Sequence, residues 1–211
     1  MSLPDTKERL RTAAEVLFAA KGFRGISVRE ITDRAGANLA AVNYHFGSKS
    51  GLLIEILESH IGELNRLRLA RLDELEARAR ETGEPLQLEE VLEAFLEPAV
   101  RRFLAKGGPD YPALLARLHQ DPTPELTEAL ARIFAPVADR FFAVIHPLVP
   151  HLDETALLAR SMFLKGAMLH ILSDGDRLSS ALTGGRVRLQ DPDRLLSELI
   201  RFCAAGYRAP V

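Results

Sequence analysis

Apolar residues recur at spacings of three and four along almost the whole chain, and no run alternates in the manner of a strand. A first helix is predicted over 5–21, with Leu10, Ala13, Ala14, Leu17 and Phe18 on one face and Gly22 as its stop. Ser27 stands three residues before Glu30, the spacing of a capping box, and opens a second helix that buries Val28, Ile31 and Ala35 before Gly36 ends it. Asn38 opens a short third helix with Leu39, Val42 and Phe46 inward and Gly47 at its end. Ser48 caps the next, whose apolar face begins Leu52, Leu53, Ile56, Leu57 and continues past Leu64 and Leu67 toward Arg80. Further helices are expected near 87–105, 110–120, 124–148, 153–173 and 192–207, with Pro136 and Pro147 kinking or ending helices where they fall. The Ser-, Gly- and Arg-rich stretch from Ser173 to Gln190 reads as a mobile loop. The fold class is all-α, about nine helices: a three-helix N-terminal domain over 1–50 and a helical domain over 51–211.

Composition changes this picture little. One cysteine, Cys203, excludes an internal disulfide framework and a cysteine zinc cage, and no cofactor or metal site is expected. No stretch approaches the roughly 18 uninterrupted apolar residues of a membrane span. Met1 to Arg11 is charged instead of an apolar leader, so a cytoplasmic, nucleoid-associated protein with no membrane partner is the expectation. The net charge of −2 argues at first against a nucleic-acid binder. Its distribution argues otherwise, because residues 1–50 carry eight basic and five acidic side chains, leaving nineteen basic and twenty-four acidic for the remainder. A head of +3 is attached to a body of −5.

The two short helices joined by Ala35–Gly36–Ala37–Asn38 have the length and glycine of a helix-turn-helix, in which the second helix enters the DNA major groove. With Leu39, Val42 and Phe46 inward, Ala40, Ala41, Asn43 and Tyr44 lean outward. The two alanines allow close approach to a thymine methyl, and Asn43 can pair with a base edge or a phosphate. Tyr44, His45 and Lys49 surround the helix end where phosphates would lie, and Ser48 adds helix-start amides. Taken singly, Tyr44 also suits packing, His45 a satisfied turn, and Lys49 a solvated charge.

The run AAEVLFAAKGFRGISVREITDRAGANLAAVNYHFGSKSGLL, from Ala13 to Leu53, resembles the DNA-binding domain of TetR-family transcriptional regulators. The matching features are the AAEVLFAAKGF helix, the S-V-x-x-I-x-x-x-A-G helix-turn and the Y-H-F-x-S-K segment before Leu52. The resemblance implies that Ser27, Arg29, Asn38, Ala40, Ala41, Asn43, Tyr44, His45 and Lys49 face an operator. It also implies a fourth helix linking this head to a dimerisation and ligand-binding body, as in a repressor released by an effector. The commonest family pattern has its tyrosine where this chain has Asn43, and here Tyr44 directly precedes His45.

The segment GPDYPALLARLH resembles fatty-acid-responsive members, which implies a small hydrophobic effector such as a fatty acid or acyl-thioester. Its candidate lining is Phe95, Phe103, Leu115, Leu118, Phe134, Phe141, Met162 and Phe163, all of which also suit a plain core. Arg117 or His119 would anchor a polar end, and Arg117 could equally pair with a structural carboxylate. Gly166, Ala167, Ala204, Ala205 and Gly206, beside Leu169, Leu172, Leu196, Leu199 and Phe202, would let the last two helices form a homodimer. An enzyme is not expected. The close pairs His119 with Asp121 and His146 with His151 lack a third ligand, a nucleophile or a phosphate loop. An activator, or a partner-binding helical protein that does not bind an operator, is the competing reading.

Overall fold

The computed structural model describes residues 5–104, 114, 115, 118 and 123–211. Its helices are α1 (Thr6–Lys21), α2 (Val28–Ala35), α3 (Leu39–Phe46), α4 (Lys49–Thr82), α5 (Leu88–Leu104), α6 (Pro124–Ile145), α7 (Glu154–His170), α8 (Asp176–Thr183) and α9 (Pro192–Arg208). A 3-10 turn, His146–Leu148, comes directly after α6, and a π turn, Ile171–Gly175, joins α7 to α8. No strand occurs among the described residues. The helix expected near 110–120 falls mostly outside them.

Contacts group the chain into two units, Met1–Glu63 with Ala113–Ile133, and Leu64–Pro112 with Phe134–Val211. The sequence places a boundary at the start of α4; the contacts part that helix between Glu63 and Leu64. In the first unit α1, α2 and α3 close over Leu10, Ala14, Phe18, Ile31 and Val42, and α4 adds Leu52, Leu53, Ile56 and Leu57, all fully buried. Polar pairs hold α4 against α1: Lys7 meets Glu55 at 3.0 Å and His60 meets Glu15 at 2.9 Å.

The second unit buries Leu92, Leu96 and Val100 of α5 with Leu196, Leu199, Cys203 and Tyr207 of α9. Val137, Phe141 and Ile145 of α6 and Leu157 and Leu164 of α7 complete this core. The Arg160 guanidinium donates to the carbonyls of Gly206, Tyr207, Ala209 and Pro210, at 2.6–3.2 Å, and so satisfies acceptors that the end of α9 leaves open. Arg208 spans back to Glu89, and Arg140 to Glu76 and Asp73.

Three expectations change. Of the two outcomes expected at Pro136, a kink or an end, the end does not occur: α6 runs through it. Its missing donor leaves open the carbonyl of Arg132, an exposed residue that water reaches. Pro147 does mark the end of α6, in the 3-10 turn. The expected mobile loop from Ser173 to Gln190 instead contains α8. Asp176 ties residues 188–190 back to the start of that helix, accepting from Arg188 Nε and Nη2, the Leu189 amide and Gln190 Nε2. Lastly, Leu196, Leu199 and Ala204 belong to the core instead of an outer dimer face. The apolar residues that α7 and α9 leave outward are Leu158, Met162, Phe163 and Phe202, with Gly166, Ala205 and Gly206 beside them.

Candidate nucleic-acid interface

Local chemistry fixes the ends of the two short helices. The Ser27 side chain accepts from the Glu30 amide at 3.2 Å, while the Ser27 amide and hydroxyl donate to the Glu30 carboxylate at 2.8 and 3.0 Å. Lys21 donates to the same carboxylate at 2.8 Å. The Lys21 bond above all, then the Ser27 bonds, lower the Glu30 pKa from 4.5 to about 2. Gly36 ends α2 with φ at 61°, a left-handed conformation glycine adopts without strain, and so sets the turn into α3. The Asn38 side chain accepts from the Ala41 amide at 2.9 Å and caps α3.

Helix α3 is anchored from below by Val42, which is fully buried. Ala40, Asn43 and Tyr44 are exposed, Tyr44 at 85 %, and Ala41 is half-buried. The expected inward Leu39 is a correction: it stands 57 % exposed at the first position of the helix. Eight residues allow one strong anchor at the middle, and a first-turn side chain leans back beyond the supporting helices. Residues 39, 40, 43 and 44 therefore form one outward face of small, apolar, amide and phenol groups on a helix about 10–12 Å across, which a major groove about 12 Å wide admits. The Tyr44 ring meets the half-buried His45 edge-on at 4.9 Å.

Among the other expected positions, Arg29 is exposed and lies 3.9 Å from Asp33. Ser27 and Asn38 are exposed but engaged as caps. Lys49 departs most from the expectation of a phosphate cation. Its ammonium is partly buried, donates to the carbonyls of Phe23 at 2.9 Å and Ile26 at 2.7 Å, and lies 4.3 Å from the Phe23 ring centre. Burial lowers its pKa, with Glu30 acting the other way. Lys49 thus ties the turn between α1 and α2 to the start of α4. Gly51 is a structural residue that no pattern in the sequence marks. A Cβ there would lie 2.1 Å from the Phe46 carbonyl oxygen, so only glycine lets α4 begin so close to the end of α3.

The expected effector residues do not form one set. Phe141 and Leu118 are buried, and Phe95, Phe103, Leu115 and Phe134 are partly buried. Phe95 and Phe141 meet edge-on at 5.2 Å, with the Arg68 guanidinium over Phe95 at 4.1 Å. Met162 and Phe163 are 54 % and 69 % exposed, because α7 turns Leu157 and Leu164 to the core and carries their neighbours to the outside. Arg117 and His119 lie outside the described residues. No cluster of metal-ligating side chains occurs among the described residues.

Comparison with known proteins supplies independent context. A family model described as bacterial regulatory proteins, tetR family, matches residues 10–56, and one described as tetracyclin repressor-like, C-terminal domain, matches 93–206. The HTH-type transcriptional repressor BdcR of Escherichia coli is 44% identical over 55 residues, 26% of this chain and 28% of that protein. The HTH-type transcriptional regulator AcrR of Shigella flexneri is 37% identical over 100 residues, 46% of this chain and 42% of that protein. These curated relatives are thus matched over less than half their length. Over whole chains, the fatty acid degradation regulator FadR of Bacillus halodurans shares the fold at a TM-score of 0.62 and 14% identity, covering 99% of each chain. FadR of Bacillus subtilis, solved with stearoyl-CoA, has a TM-score of 0.63 at 13% identity, over 94% of this chain and 98% of that one.

Proposed function

This chain belongs to the TetR family of bacterial regulatory proteins, and from that premise we propose that it is a dimeric, DNA-binding transcriptional repressor released by a small hydrophobic effector. The observation that carries DNA binding is the outward face of Leu39, Ala40, Asn43 and Tyr44 on a capped helix anchored by Val42. Apolar contacts from Leu39 and Ala40 suit thymine methyls, Asn43 suits adenine, and Tyr44 suits a phosphate or sugar. Arg29 supplies charge beside them, and Lys49 acts by bracing the head.

Dimerisation is supported by the exposed stripe of Leu158, Met162, Phe163 and Phe202 along α7 and α9. By length and hydropathy the stretch Glu154–Thr183 could also cross a bilayer, but Arg160 and Lys165 interrupt it and a second copy covers the stripe without desolvating either charge in lipid. A two-fold pair would present two copies of α3 about one helical turn of DNA, roughly 34 Å, apart. The effector class, a fatty acid or its thioester, is supported by the aromatic interior around Phe95, Phe134 and Phe141. It would release DNA only by binding the DNA-incompetent conformation more tightly.

The test is fluorescence anisotropy on duplexes selected from a random pool by the protein. Tyr44→Ala is expected to weaken binding about ten-fold with the dimer intact. Log affinity should fall with log salt at about 0.9 per phosphate contacted. Selection that enriches no sequence would remove the operator-binding reading and leave the partner-binding one.

A further inference from the structure

Lys165 comes directly after the buried Leu164 on α7 and is itself partly buried. Its ammonium lies 5.0 Å from the centre of the Phe134 ring on α6, and that ring packs against the core of the same unit. Among the described residues no carboxylate pairs with it, and burial alone lowers its pKa. Four arginines of the same unit each meet a carboxylate: Arg71 meets Glu97, Arg78 meets Glu90, Arg140 meets Glu76 and Arg208 meets Glu89. A ring face attracts an ammonium but satisfies none of its three donors, so a partly dehydrated lysine held only by Phe134 is short of an acceptor.

We propose that Lys165 binds the anionic headgroup of the effector, making the ligand an apolar chain that carries an acid group. This rests on the effector reading above and narrows it. With a free acid the ring of Phe134 would lie against the first carbons of the chain while the ammonium pairs with the carboxylate; with a thioester the ammonium would pair with a carrier phosphate and the ring would lie against the carrier arm beside it. The acid is a carboxylate if the ligand is free, or a phosphate if it is a thioester carrier.

Isothermal titration of the full-length protein with decanoate, decanoyl-coenzyme A and 1-decanol tests this. One of the two acids is expected to bind about ten- to a hundred-fold more tightly than the alcohol, the range a buried charged hydrogen bond supplies. Which of them does so separates carboxylate from phosphate. Lys165→Met should erase that advantage while leaving alcohol binding in place, and Lys165→Arg should keep it. Lys165→Gln replaces the methionine variant if the latter loses its helical circular dichroism. Equal affinity for acids and alcohol in the unmodified protein overturns the proposal, as does an advantage that survives in Lys165→Met. A weakened dimer with unchanged ligand preference also overturns it, because Lys165 then faces the second copy. Binding of none of the three removes the effector reading together with its anchor.

Discussion

In the first unit two exposed apolar side chains, Leu39 and Tyr44, lie along an eight-residue helix with Asn43 beside them, whereas in the second a row of four, Leu158, Met162, Phe163 and Phe202, runs along α7 and α9. The first surface is short, interrupted by an amide, and held by capping bonds. The second is longer and bordered by small residues, Gly166, Ala205 and Gly206. A surface of the first kind suits the polar floor of a major groove, because each group can meet a separate donor, acceptor or methyl. A surface of the second kind has value only when another apolar surface covers it. Glycine shows the same contrast: Gly51 has a backbone oxygen where its side chain would be, while a Cβ at Gly166 or Gly206 meets nothing within 4 Å.

That contrast can be broken most forcefully at the glycines. Gly51→Ala should destabilise the head by about 3 kcal/mol, seen as a lowered thermal midpoint with lost operator binding. Gly166→Leu should leave the folded monomer intact and shift sedimentation toward it, since its space is open until a second copy arrives. Equal thermal effects of the two would erase the distinction. Next in size, Arg160→Ala deprives four carbonyls at the end of α9 of their donor and should cost about 2 kcal/mol in chemical denaturation, with the head unaffected.

The smallest effect concerns the caps of the head. Ser27→Ala should cost about 1 kcal/mol, measured by the same denaturation. The sign of its pH dependence is set by Glu30. The folded pKa is about 2 against an ordinary 4.5, so its stabilisation is complete above pH 4.5 and is lost as pH falls toward 2. The advantage of the unmodified protein over Glu30→Gln should shrink across that window and be gone below it.

Much of the head is legible in the sequence because caps and glycines are local signals. Ser27, Glu30, Gly36 and Asn38 act within a few residues of themselves, and each stands in the role its spacing suggests. Leu39 misleads because one buried residue in eight leaves the helical phase under-determined. The bonds of Lys49 to Phe23 and Ile26 are not legible because those partners are distant in sequence. In the body the all-helical class is legible from periodicity, but facing is not. Leu196 and Phe202 look alike in a sequence, and only the packing of α9 separates a core residue from an exposed one. Helix α8 is hidden because its support is tertiary, from Asp176 to Arg188 and Gln190, where the composition alone suggests a loop.

The contact at Gly51 has a mechanical consequence. Where two helices meet backbone to backbone, there is no side chain between them to flex, slide or change rotamer. The end of α3 and the beginning of α4 are therefore joined like a hinge plate without play, and a twist applied to α4 turns the reading face as a rigid piece instead of melting it. Such a head would lose its operator by misalignment, with its helices still fully formed.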